Sequence, residues 1–208
     1  MRSDGAKTIA VFVLASALCA TLSSRARAQD WFGLATWQVS VPVDDTKLFT
    51  DEVSFRGAGM DFRKTLTGGT IASVSMAWNV FHERTELETL QLEFGAVSGS
   101  QDRYINSFPI MLGLHQYIGN RRKTRVHFGV NAGGYLLIQT FRIGITEIEE
   151  DAWEWGVAPE VGVTIPMTTG AWLEVNGRYH WSPTPKNLAG EDFSMTYYQL
   201  NVGFMWEQ

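Results

Sequence analysis

The stretch "WEWGVAPEVGVTIPM" (residues 153–167) decides how this chain is read. Its odd positions are Trp153, Trp155, Val157, Pro159, Val161, Val163, Ile165 and Met167; its even positions are Glu154, Gly156, Ala158, Glu160, Gly162, Thr164 and Pro166. One face is apolar over the whole length and the other is small or polar. Alternation of period two is the strand signature. The strands of a soluble sandwich run about five or six residues, and this pattern runs far beyond that.

The same alternation continues on either side. In "LEVNGRYHWSPT" (173–184), Leu173, Val175, Gly177, Tyr179 and Trp181 alternate with Glu174, Asn176, Arg178, His180 and Ser182. In "YQLNVGFMW" (198–206), Tyr198, Leu200, Val202, Phe204 and Trp206 alternate with Gln199, Asn201, Gly203 and Met205. Long strands with one apolar and one polar or small face match a transmembrane barrel, apolar toward lipid and polar toward the lumen. Closure is required, because an open sheet edge in hydrocarbon leaves backbone hydrogen bonds unmade. We read eight strands, over 36–43, 53–64, 70–83, 103–118, 124–142, 153–167, 171–182 and 196–206. Tight turns at 65–69, 119–123 and 168–170 alternate with longer polar loops at 44–52, 84–102, 143–152 and 183–195. That order is the short-turn, long-loop pattern of outer-membrane barrels. "LETLQLEFG" (87–95) also alternates, and is read as a hairpin extension above the membrane rather than a ninth spanning strand.

The tryptophans sort to strand ends. Trp153, Trp155, Tyr179 and Trp181 fall at one level and Trp206 at the opposite one, as two aromatic girdles require. Ten residues at ~3.3 Å each, tilted about 40°, rise roughly 25 Å, the height of an outer-membrane apolar band.

The first residues have a different character. Arg2 and Lys7 precede the uncharged "TIAVFVLASALCATLSS" (8–24), and "ARA" ends at Ala28. A basic start, an apolar run and an A-x-A site predict a cleaved secretory signal over 1–28 and a single barrel domain over 29–208. Four of the 17 basic residues and one of the 22 acidic ones lie in 1–28, so the remainder holds 13 basic against 21 acidic, net −8. Cys19, the only cysteine, lies in the signal, which excludes a disulfide framework and thiol chemistry. An acidic exported chain is unsuited to nucleic acid, since nothing offsets phosphate repulsion.

With these features the chain resembles the small outer-membrane β-barrels of the OmpA/OmpW-like group. "AWNVF" (77–81), "INSFPI" (105–110), "GVAPEVGV" (156–163) and the closing "NVGFMW" (201–206) carry the resemblance. The family ends on an aromatic residue, whereas this chain ends on Glu207 and Gln208. The resemblance implies an all-β, eight-stranded antiparallel up-and-down barrel in contact with outer-membrane lipids. It also implies folding by the barrel-assembly machinery, no cofactor, and a possible extracellular ligand held by the loops.

An eight-stranded barrel is just wide enough to be filled by side chains. Parity places Arg56, Glu154, Glu160, Glu174, Asn176, Arg178 and His180 inside, with Gln38, Ser40, His115, His127, Asn131, Gln199 and Asn201 around them. Buried charges need partners, so an internal ion-pair network is expected. His180 and Ser182 raise the question of a lipid-deacylating hydrolase, because residues two apart on a strand share a face and nucleophilic catalysis needs a hydroxyl beside an imidazole. Tyr179 and Trp181 take the lipid side, which turns that pair inward, away from a lipid substrate, and Pro183 follows the serine. His82, His115, His127 and His180 lack the close spacing of a metal site. "EIEEDAWE" (147–154) is expected as an acidic loop without an ordered Ca²⁺ pattern. "AGG" (132–134) is expected to be a bulge or kink. The reading is a non-enzymatic barrel with a structural or loop-mediated role; the alternative is a narrow pore, or a path for small solutes or hydrophobic molecules.

Overall fold

The computed structural model describes residues 31–92, 95–143, 146–184 and 193–207; the expected signal segment lies outside them. Eight strands follow one another: β1 (Trp31–Pro42), β2 (Ser54–Thr65), β3 (Thr70–Leu92), β4 (Gly95–Ile118), β5 (Arg125–Ile143), β6 (Thr146–Thr168), β7 (Ala171–Thr184) and β8 (Phe193–Glu207). Each pairs antiparallel with its sequence neighbours, and β1 closes on β8 from Phe32↔Glu207 to Pro42↔Tyr197. One short helix, α1 (Asp44–Phe49), sits between β1 and β2.

Two boundaries differ from the sequence reading because the contrast between faces is weak there, while the expected hairpin extension is borne out. β1 starts at Trp31 rather than at 36, since Phe32 and Leu34 face inward opposite an outer face that also carries apolar residues. The acidic segment 147–152 is strand rather than loop: β6 pairs with β5 up to Ile143↔Thr146. Both of its faces are polar or exposed, so period two is hidden. "LETLQLEFG" prolongs the β3–β4 hairpin as far as Leu92↔Gly95 and adds no ninth strand.

The barrel is therefore lopsided. β1, β2, β7 and β8 have 12 to 15 residues, whereas β3 to β6 have 19 to 24. At ~3.3 Å per residue and about 40° of tilt, the short strands rise roughly 30 to 38 Å and the tallest near ~60 Å. The β3–β6 wall thus stands well clear of the opposite rim.

Register is continuous on both sides of Ala132–Gly133–Gly134, so the expected bulge is absent there. The glycine serves close approach instead: a Cβ on Gly134 would lie 2.1 Å from the Trp153 ring, which lies over it. The bulge that matters is in β2. Pairing passes from Gln38↔Gly57 to Ser40↔Ser54, so β2 holds one residue more than β1 across that step. A bulge exchanges the faces of the strand beyond it.

Candidate functional site

The described interior is filled in layers. At the end where β1 begins and β8 finishes, Phe32, Leu34, Trp172 and Met205 form a buried apolar plug. Phe32 and Trp172 meet edge to face at 5.7 Å, and Trp172 Nε1 donates to the Arg121 carbonyl at 3.0 Å. At the far end a larger cluster contains Phe81, Ile105, Met111, Tyr135, Leu137 and Tyr197, among others, with Phe49 of α1 packed against it. Helix α1 is tied to β8. Asp45 Oδ2 accepts from Ser194 N (3.0 Å) and Ser194 Oγ (2.7 Å), and Thr46 Oγ1 accepts from Thr196 N at 2.7 Å.

Between the plugs lies a charged layer. β2 contributes Asp61 and Arg63, β4 His115 and Tyr117, β5 His127 and Asn131, β6 Glu160, and β7 Glu174, Asn176 and Arg178. Arg63 donates through Nη1 to Glu174 at 2.8 Å and through Nη2 to Asp61 at 2.8 Å, and it also bonds the Tyr117 hydroxyl. Arg178 donates through Nε to Glu160 at 2.5 Å and through Nη2 to Asp61 at 2.7 Å. Asp61 thus bridges both guanidinium groups, and Asn176 and Asn131 donate to Glu174 and Glu160. Three carboxylates and two guanidinium groups share the layer, with Arg125 over the Tyr117 ring at 4.7 Å. Ion pairs withdrawn from water persist only when hydrogen bonds satisfy both partners. Here Asp61, Glu160 and Glu174 each accept from a guanidinium, while Arg63 Nε and two nitrogens of Arg125 are buried without a hydrogen-bond partner among the described residues.

Of the residues expected inside, Glu160, Glu174, Asn176, Arg178 and His180 are buried in this interior. Glu154 has inward parity but is only half-buried, and it makes none of the ion pairs among the described residues. Arg56 is exposed on the outer wall: it keeps the outward parity of Ala58 and Met60, and the β2 bulge places Phe55 on that same side. The arginine that does enter is Arg63, with Asp61. The available signal was "GMDFRK", in which Met60 and Phe62 alternate with Asp61 and Arg63.

His180 and Ser182 share the inner face but do not form a pair. His180 Nε2 lies 3.2 Å from Gln199 Oε1, an amide oxygen that only accepts, so Nε2 carries the proton. Nδ1 then accepts from the Tyr135 hydroxyl at 2.8 Å. Ser182 Oγ donates instead to the Trp155 carbonyl at 3.2 Å. No imidazole nitrogen is left to activate the serine. His127, Glu160 and Glu174 bring ligand atoms within 4.8 Å of one another, the spacing of a metal site. Both carboxylates already hold guanidinium groups, so a divalent cation there would share its shell with two cations. The arrangement is an ion-pair network.

On the outside, Trp153, Trp155 and Trp181 are exposed, and Tyr179 and Trp206 are half-buried, with Trp206 covering Gly33. Trp37 and Trp78 join them on β1 and β3. Between them the wall carries Leu112, Leu114, Phe128, Val130, Val161 and Leu200, all exposed.

No family model matches this sequence, and no curated protein matches it. Solved structures do match in shape. Neisserial surface protein A superposes with a TM-score of 0.53 at 10% identity, over 89% of this chain and 100% of that one. Ail, the attachment invasion locus protein of Yersinia pestis, gives 0.50 at 12% identity, over 86% and 99%. The outer membrane protein OprG of Pseudomonas aeruginosa gives 0.49 at 14%, over 86% and 96%. Its fold is that of the small eight-stranded outer-membrane β-barrels.

Proposed function

We propose that this chain is an integral outer-membrane protein whose barrel is a sealed anchor, with its function carried by the tall β3–β6 wall and the loops beside it. A belt of exposed large apolar side chains is unfit for water and fits acyl chains. No helix among the described residues is long and apolar enough to cross a membrane; barrels cross with strands. The barrel-assembly machinery is the partner that inserts such a chain, and the β3–β6 wall is where an external ligand meets it. The role is structural or binding, without catalysis.

The observation that carries this reading is the filled interior: a buried ion-pair layer closed at both ends by apolar clusters, one of them stoppered by α1. Single-channel recording in planar bilayers tests it. We expect no discrete openings; a stable ion conductance lost on Arg178→Ala would overturn the reading.

A second reading, lateral passage of small hydrophobic molecules, draws on one observation. β6–β7 pairing skips from Val157↔Trp181 to Glu160↔Arg178 at Pro159, which has no N–H to give. An outer groove there is lined by Pro159, Val161, Gly177, Tyr179, Tyr198 and Leu200. Passage would be lost on filling the groove with Gly177→Leu.

A further inference from the structure

A second groove in the outer wall lies where β1 to β4 meet, lined by Trp37, Phe55, Ala58, Trp78, Val80 and Tyr104. Its walls are two stacked aromatic pairs, Trp37–Phe55 at 6.4 Å and Trp78–Phe108 at 6.0 Å. Both indole N–H groups are committed, Trp37 to the Phe55 carbonyl at 2.9 Å and Trp78 to Asn106 Oδ1 at 3.2 Å. The rings are therefore held as fixed apolar surfaces.

Arg56 also lines this groove. It shares the outward face of Ala58 and Met60, and the β2 bulge brings Phe55 to the same side. Among the described residues no carboxylate pairs with its guanidinium. Of the acids on the adjoining strands β3 and β4, Asp102 lies 3.5 Å from His82 and 3.9 Å from Arg84, and Glu83 accepts from the Asp51 amide at 2.7 Å. Height is also informative. Arg56 stands nine residues up β2 from Thr65 at the base turn. At ~3.3 Å per residue and about 40° of tilt that is roughly 23 Å, close to the thickness of the apolar band. An unpaired cation at that level meets lipid headgroups, with an apolar aromatic slot directly beneath it.

We propose that this groove binds an anionic lipid with a phosphate monoester headgroup: the phosphate on the Arg56 guanidinium, one acyl chain between the Trp37 and Trp78 rings. Guanidinium matches phosphate in a two-pronged hydrogen bond that lysine or an amide does not reproduce. The proposal rests on the membrane reading above and adds a specific lipid site to it.

The test uses the full chain in phosphatidylcholine nanodiscs doped with bisphosphorylated lipid A, with retained lipids counted by native mass spectrometry. The wild type is expected to retain this phosphomonoester lipid in preference to phosphatidylcholine, whose phosphate is a diester already neutralised by its own choline. Arg56→Gln lowers that preference about tenfold, the effect of one charge-assisted contact. Trp78→Ala lowers retention of both lipids. Arg142→Gln, which removes an exposed arginine already held by Glu147 at 2.6 Å, leaves the preference unchanged. Inorganic phosphate does not displace the lipid. An unaltered preference in Arg56→Gln, displacement by free phosphate, or insertion without any lipid preference overturns the site. Failure to insert overturns the membrane reading itself.

Discussion

Arg63 and Glu174 are 111 residues apart in sequence and meet inside the barrel at 2.8 Å, each side chain with 0% of its surface exposed. One comes from β2 and the other from β7, so the contact exists only when the barrel is closed. Removing either partner strands the other in a medium that cannot solvate it. Arg63→Ala is expected to cost about 3–5 kcal/mol of stability, as for other broken buried pairs. Denaturant unfolding in detergent micelles measures this; a loss below ~1 kcal/mol would mean that the layer is hydrated.

The base plug gives a different signature. Trp172 is buried against Phe32, and Trp172→Ala is expected to destabilise by about 3–5 kcal/mol through lost packing and the cavity it leaves. Conductance stays silent in this variant, because the charged layer above remains packed. Calorimetry and planar-bilayer recording together separate the two effects.

Helix α1 is held by polar contacts to β8 as well as by Phe49. Asp45→Ala leaves the Ser194 amide and hydroxyl without their acceptor, at a cost of about 1–3 kcal/mol. The segment 43–53 is then cleaved faster by protease from the external side, while global unfolding changes little. Equal cleavage rates would show that packing alone holds the helix.

Ser182→Ala removes a single hydrogen bond to a backbone carbonyl. The expected cost is about 1 kcal/mol, with an unchanged lipid A acylation profile on overexpression. Deacylation that disappears in the variant would restore a hydrolase reading.

The architecture was legible because alternation within 153–167, 173–182 and 198–206 is uninterrupted, and strand count and turn order follow from it. The charged interior was legible only where parity propagates without error. Glu160, Glu174, Asn176, Arg178 and His180 sit on strands whose register the sequence pattern carries straight through. Arg56 does not, since its neighbour Phe55 reads as the lipid-facing residue of the pair; the β2 bulge puts both on the outer side, and a bulge leaves no mark on hydrophobic periodicity. Trp172 escaped for the opposite reason. An indole reads as lipid-facing by type, yet its even position on β7 sends it inward with Glu174 and Asn176.

The unequal strand lengths leave two flanks of backbone without a neighbour. Among the described residues, β3 beyond Asn79 has no ladder partner in β2 and β6 before Val157 has none in β7. Exposed flanks of that kind invite copies of a protein to zip together. Glu147, Glu149, Glu150 and Asp151 crowd one of them and Arg84 stands on the other. Two acidic flanks repel, so the run that reads as an unstructured loop keeps the β6 edges of neighbouring barrels from pairing with one another.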